Sequence, residues 1–293
     1  MKKYFVGRVN GADFCTPAAY HGRSEGYVCN ALIGAETNPA CVLTGVGLVR
    51  IAPAGGHDPV FHAFEKGFYI LKGEVVLEFH GRAHRLKEGH YGVIHKAVPY
   101  TLHNPGDGEC EILEMCAPQP KAEDHSFTDT FFRSGSRSKD APVVDLEDPT
   151  IKFLGFLPNE NMKADGESIS AVGVRSSSIW GISLKELVDR MLGAEHQALF
   201  MVQFAPGGAG TTHDHPLEEI YFIMSGQAKA TLDGEEFIVG PGDYVWTGVG
   251  CFHQFECYGD EPVRWIETQA PLPAGFETFR FRREWDPLAT ATS

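Results

Sequence analysis

Apolar residues along this chain come in short runs broken by glycine-containing dipeptides, and few stretches carry the period of an amphipathic helix. The segment "FYILKGEVVLEF" (68–79) is two apolar stretches hinged at Lys72-Gly73. The segment "YFIMSGQAKATLDGEEFIVGPGDYVW" (221–246) repeats the theme, with breaks at Ser225-Gly226, Asp233-Gly234 and Pro241-Gly242. Such breaks are hairpin signals, because glycine supplies the positive φ that tight turns need. Many short strands at even spacing predict a β-barrel or sandwich instead of alternating strands and helices. One helix is predicted, over "SLKELVDRMLGAEH" (183–196). Ser183 would cap it, with Glu186 three residues later, and Leu184, Leu187, Val188 and Met191 would form its apolar face. Its expected role is to close one barrel end.

The pattern occurs twice. At an offset of 153 residues, "APAGGHDPVFHAFEKGFYILKG" (52–73) falls on "APGGAGTTHDHPLEEIYFIMSG" (205–226) without a gap. Ala52/Ala205, Pro53/Pro206, Gly55/Gly208, Glu65/Glu218, Ile70/Ile223 and Gly73/Gly226 are identical, and the match runs on to "VPYTLHN" over "CFHQFEC". A repeat of that length means two homologous domains. The polar stretch from 117 to 149, rich in Ser, Asp and Pro, marks the junction, so domains over residues 1–135 and 136–293 are expected.

Composition narrows the functional classes. Lysine and arginine total 25 against 39 aspartates and glutamates, a formal charge of -14. Nucleic acid and anionic membrane surfaces reward basic patches, so neither is an expected partner. No apolar run approaches the ~20 residues of a membrane helix, and no apolar stretch follows the two lysines near the N-terminus. The seven cysteines include no C-x-x-C pair, and reduced thiols in a cytoplasmic protein are the expectation.

The second repeat concentrates the metal-binding residue types. His213 and His215 share a face if their segment is extended; Glu219, Tyr221 and Ile223 share one on the next strand, and His253 shares one with Phe255. Three imidazoles and a carboxylate converging inside a barrel can hold a divalent transition ion with positions left for substrate. Asp214 and Glu218 alternate with these residues and are expected to face outward.

Here the chain resembles the cupins, whose two motifs read G-x5-H-x-H-x(3,4)-E-x6-G and G-x5-P-x-G-x2-H-x3-N. Gly207, His213, His215, Glu219 and Gly226 match every fixed position of the first. Gly242, Gly250 and His253 match the second, with Gly248 in place of proline and Cys257 in place of asparagine. The resemblance implies an all-β chain of two tandem cupin barrels (double-stranded β-helix or jelly-roll) with a few short helices. It also implies that His213, His215, Glu219 and His253 bind one metal ion, and it suggests a homodimer.

The first repeat lacks this set. At the same offset His213 falls on Val60, His215 on His62, Glu219 on Lys66 and His253 on Tyr100. A cation and a phenol would not hold a divalent ion, so a metal-free barrel is expected, with Lys66 a possible anchor for an anionic ligand. Histidines 57, 80, 84, 90, 95 and 103 have no ligand spacing and read as surface or core residues.

Around the metal the expected substrate pocket is Tyr221, Ile223, Trp246 and Phe255. Phe200, Phe204, Trp265 and Glu267 lie close enough in sequence to join it, with facing undetermined. Such an apolar wall suits a small organic substrate. The ligand set is similar to that of cupin dioxygenases such as quercetinases, which implies an oxygenase using Fe2+, with Glu219 and Tyr221 as catalytic groups. The alternative is non-redox hydrolysis, decarboxylation or isomerisation on Mn2+, Zn2+ or Ni2+, in the layout of bicupin ureidoglycine aminohydrolases, whose ligands however run Glu, His, His, Gln. A non-catalytic ligand-binding cupin is a third reading.

Overall fold

A computed structural model of the chain describes residues 2–121, 128–158, 162 and 179–272. Strands Gly45–His57, Glu65–Lys72, His90–Ile94 and Cys110–Ala117 recur 153 residues later as Ala198–Gly210, Glu218–Ser225, Asp243–Thr247 and Val263–Ala270. Each set pairs antiparallel in the same order, the first strand beside the fourth, the fourth beside the second, the second beside the third. Among the described residues the two sheets have eleven and nine strands, and each curls into a barrel.

Alternation along each strand sorts side chains between two buried environments. Phe200, Val202 and Phe204 join Tyr221, Ile223, Val245 and Trp265 inside the second barrel. Leu199 and Met201 face the other way, and with Ile220, Phe222, Trp246 and Ile266 they continue the core of the first barrel. A Cβ on Gly67 would lie 2.5 Å from Leu199, so glycine there permits the close approach of the two sheets. With apolar residues needed on both faces, these strands read as continuous apolar runs and not as alternating ones.

The halves also exchange strands. Tyr4–Arg8 pairs with Asp243–Thr247 of the second sheet, and Leu154–Phe156 pairs with His90–Ile94 of the first. Gly7 and Gly155 occupy the same position in these two pairings, each beneath the ring of a tyrosine, Tyr244 and Tyr91, that a side chain would strike. The polar stretch after 117, where described, lies along the first barrel: Thr130–Phe132 pairs with Val60–His62, and Val143 bridges to Arg85.

Two sequence expectations need correction. The segment 183–196 is not a helix: strand Ile179–Val188 runs antiparallel to Ala198–Gly210, as Ser24–Ile33 does to Gly45–His57 in the first half. A helix there would leave the outer edge of Ala198–Gly210 unpaired, and that cost outweighs the local helix preference of "LKELVDRM". The strand ends at Asp189, whose carboxylate accepts the N–H groups of Met191 and Leu192, and Met191 is 82% exposed. The helical turns among the described residues are the 3-10 segments Gly11–Asp13 and Ala18–Tyr20. Glu218 does not face water either. It is buried, and its carboxylate accepts from Val42 N–H (2.9 Å), Leu43 N–H (3.0 Å) and the Cys41 thiol (3.1 Å). It does point away from Glu219, but outward on this strand means into the other barrel.

A candidate metal centre in the second barrel

His213 and His253 come from different segments yet exchange both backbone hydrogen bonds, His213 N–H to His253 C=O at 3.0 Å and the reverse at 2.9 Å. That bridge brings their rings to 4.4 Å between centroids, and the His215 ring lies 4.9 Å from His253. One ring nitrogen from each of the three lies within 4.8 Å of the others.

Each imidazole is oriented by its own backbone. Nδ1 of His213 lies 2.9 Å from Thr211 C=O, that of His215 lies 3.0 Å from Leu217 C=O, and that of His253 lies 2.9 Å from Cys251 C=O. A carbonyl only accepts, so each Nδ1 carries a proton and each ring turns its Nε2 elsewhere. Nε2 of His215 and His253 are buried without a hydrogen-bond donor. Both face Glu219 Oε2, at 2.8 and 3.3 Å. Acceptors at such distances need a proton or a cation between them, and the set of three imidazoles and a carboxylate fits a divalent transition ion.

These groups also set one another's affinity for protons. Glu219 is buried, which opposes its ionisation, yet His215 and His253 hold its carboxyl well below the usual range. His215 is raised: burial lowers it, and the Glu219 carboxylate more than offsets this. His213 is lowered by burial and by His253.

Around this group the register places Tyr221 and Val245 opposite one another, with Glu219 opposite Thr247. The Tyr221 hydroxyl hydrogen-bonds Glu219 Oε2, and its ring packs 4.4 Å from Phe255 and 6.2 Å from Trp265. Burial, and then Glu219, keep this phenol protonated, well above its ordinary value. Ile223, Phe200, Phe204 and Phe255 belong to the same buried cluster. Trp246 is not. It lies opposite Ile220 and packs in the core between the barrels, because the sheet's alternation puts it on the face away from Val245 and Thr247.

Glu267 is the residue that sequence reasoning left unplaced. It lies opposite Tyr221 in the sheet, and Gln269 Nε2 donates both to Glu219 (2.7 Å) and to Glu267 (3.1 Å). The Trp265 indole N–H donates to its other oxygen at 3.1 Å. Burial, and then the Glu219 charge, push the Glu267 carboxyl up to about 8, so it holds a proton at neutral pH beside an ionised carboxylate. The "WIETQ" alternation 265–269 was the available signal: its odd positions face one way.

A protein-family model described as a cupin domain matches residues 47–116 and again 200–268. Among curated proteins, the chain is 26% identical over 103 residues to Endoribonuclease YbeY of Myxococcus xanthus (34% of each chain). It is 30% identical over 81 residues to a gentisate 1,2-dioxygenase of a Ralstonia species (27% of this chain, 23% of that one). It is 38% identical over 66 residues to the dimethylsulfoniopropionate lyase DddQ of Ruegeria pomeroyi (22% and 32%). The matches thus span between 23% and 34% of those relatives' lengths. Among solved structures, the Ylba protein of E. coli superposes with a TM-score of 0.62 at 14% identity, over 92% of this chain and 90% of that one. Oxalate decarboxylase of Lactobacillus farciminis superposes at 0.63 and 15% identity, over 91% and 86%.

Proposed function

The chain belongs to the cupin superfamily, with two cupin domains in tandem, and from that premise we propose that it is a metal-dependent enzyme acting on a small organic substrate, by dioxygenation. The observation that carries the reading is the convergence of His213, His215, His253 and Glu219, with Nε2 of His215 and His253 undonated, beneath a wall of Tyr221, Phe255 and Trp265. A bound Fe2+ would supply Lewis acidity and a site for oxygen activation. The protein's own groups do the rest. The aromatic wall excludes water and orients an apolar substrate body. Tyr221, protonated and held by Glu219, offers a hydroxyl at the edge of the ligand group. The match to a gentisate 1,2-dioxygenase supports this class of reaction.

A second reading, non-redox lyase or decarboxylase chemistry, is favoured by one observation, a second buried carboxyl group, Glu267, joined to Glu219 through Gln269. Two carboxyl groups with separated affinities are the means by which one site both gives and takes protons near neutral pH. The matches to a dimethylsulfoniopropionate lyase and to oxalate decarboxylases support it.

Elemental analysis of protein purified without a metal-binding tag, followed by oxygen-electrode assays on dihydroxybenzoates and enols, separates the two. One equivalent of iron with substrate-dependent oxygen uptake supports dioxygenation. Manganese, zinc or nickel with turnover but no oxygen uptake supports the second reading. No metal after reloading overturns both.

A further inference from the structure

The first barrel holds a different polar centre at the same place. Lys66 and Glu114, 153 residues before Glu219 and Glu267, form an ion pair of 2.7 Å with both side chains 7% exposed. Nearby, Tyr100 Oη lies 3.0 Å from His62 Nε2, and His62 Nδ1 lies 3.0 Å from Thr130 Oγ1. Burial keeps His62 neutral. Lys66, Glu114, His62 and Thr130 line a cavity of about 850 Å³ whose wall also includes Tyr20, Tyr27, Phe64 and Cys29. That volume lies in the range of small-molecule sites, and mostly apolar walls with a few convergent polar groups are their usual make-up.

We propose that this cavity is a metal-independent binding site for a small neutral organic amide with an apolar body. Charge balance decides the class. At the buried end of the cavity Glu114 already neutralises Lys66, so a ligand anion placed there would stand beside Glu114, and a ligand cation beside Lys66, each a charge that the pair leaves uncompensated. This argues against the anionic ligand that the lysine alone suggests. A neutral amide needs no such compensation. Its carbonyl oxygen and its N–H, about 2.3 Å apart by amide geometry, match the spacing of an ammonium donor and a carboxylate acceptor set 2.7 Å apart. Lys66 Nζ has further N–H groups to give, and the Glu114 carboxylate has further lone pairs. The fold does not require the pair, since apolar replacement of a buried ion pair is often neutral or stabilising.

Calorimetric titration of the full metal-loaded chain with benzamide, benzoate and benzylamine tests this, because the three share one body and differ in charge. Benzamide is expected to bind with a Kd of about 1 mM or tighter, and the two charged probes at least about tenfold more weakly. The benzamide affinity should persist in His213→Ala/His253→Ala. It should fall at least tenfold in Lys66→Met/Glu114→Leu, which removes both charges together, and in Cys29→Phe, which fills the cavity without touching the pair. Benzoate or benzylamine binding as tightly as benzamide, no benzamide binding, or binding lost with the second-barrel histidines but kept in both first-barrel variants would each overturn it.

Discussion

Glu65 and Glu218, 153 residues apart, each reach out of their own barrel and bind the backbone that leads into the other. Glu218 accepts the N–H groups of Val42 and Leu43; Glu65 accepts those of Glu195 and His196, the residues 153 positions further on. Gln197 completes the second contact by donating to the backbone carbonyls of Glu65 and Met115. The barrels are thus joined by a pseudo-symmetric pair of carboxylate clamps. Truncation would leave two half-buried N–H groups without their carboxylate acceptor at each site.

Glu218→Ala is therefore expected to cost about 3 kcal/mol of stability while the metal content of the second barrel stays at the wild-type value. Urea denaturation and elemental analysis on the same preparation check both halves of the statement. A variant of wild-type stability would mean that the clamp is replaced by water at no loss.

The ligand assignment predicts that His213→Ala with His253→Ala abolishes stoichiometric metal binding and leaves the far-ultraviolet circular dichroism unchanged. Tyr100→Phe, at the corresponding position of the first barrel, should leave metal content as it is. Retention of one equivalent of metal by the double variant would sink the assignment.

Tyr221→Phe removes the hydroxyl that hydrogen-bonds Glu219, without vacating the pocket. Turnover should fall by about 10- to 100-fold with metal content intact. Steady-state kinetics beside metal analysis would show this, and an unchanged turnover would remove Tyr221 from the reacting groups.

Glu267 makes a prediction about pH. In the metal-free protein its carboxyl is raised to about 8 from an ordinary 4.5. Between those values the folded chain holds a proton that the unfolded chain has released, so its contribution to stability is present in full below about 4.5 and declines as pH rises through about 8. The slope from one such group reaches about 1.4 kcal/mol per pH unit. Denaturation of wild type and Glu267→Gln across this range should show the decline weakened in the variant. Parallel pH profiles would show that Glu267 is ionised throughout.

Trp246 provides the control on the site's boundary. Trp246→Ala should lower stability by about 3–5 kcal/mol and leave metal affinity unchanged, because the ring packs between the barrels. Loss of metal in a folded Trp246→Ala protein would put it back beside the ligands.

Much of this was legible in the sequence because it is local or repeated. Hairpin glycines fix where strands turn, and a 153-residue repeat carries one set of strand boundaries onto the other. Spacing along a strand puts Glu219 with Tyr221 and His253 with Phe255; that these meet His213 and His215 is what the resemblance to the cupin motifs implied. The absence of that set from the first repeat was equally plain, since Val60, Lys66 and Tyr100 are not exchangeable with two histidines and a glutamate.

What the tertiary structure decided concerns what lies beyond each strand's own two faces. Alternation tells that Glu218 turns away from Glu219, but only the packing of one barrel on the other makes that direction an interior, and the same packing takes Trp246, expected in the pocket, into the core between the barrels. The segment 183–196 has the residues of a helix and becomes a strand because an edge of the sheet needs its hydrogen bonds. Glu267 and Glu114 gain their significance from partners on neighbouring strands, Glu219 through Gln269 and Lys66 directly. Sequence determines the alternation and the chemistry of each side chain; the energy of a buried charge depends on which other charge the fold places within a few ångströms of it.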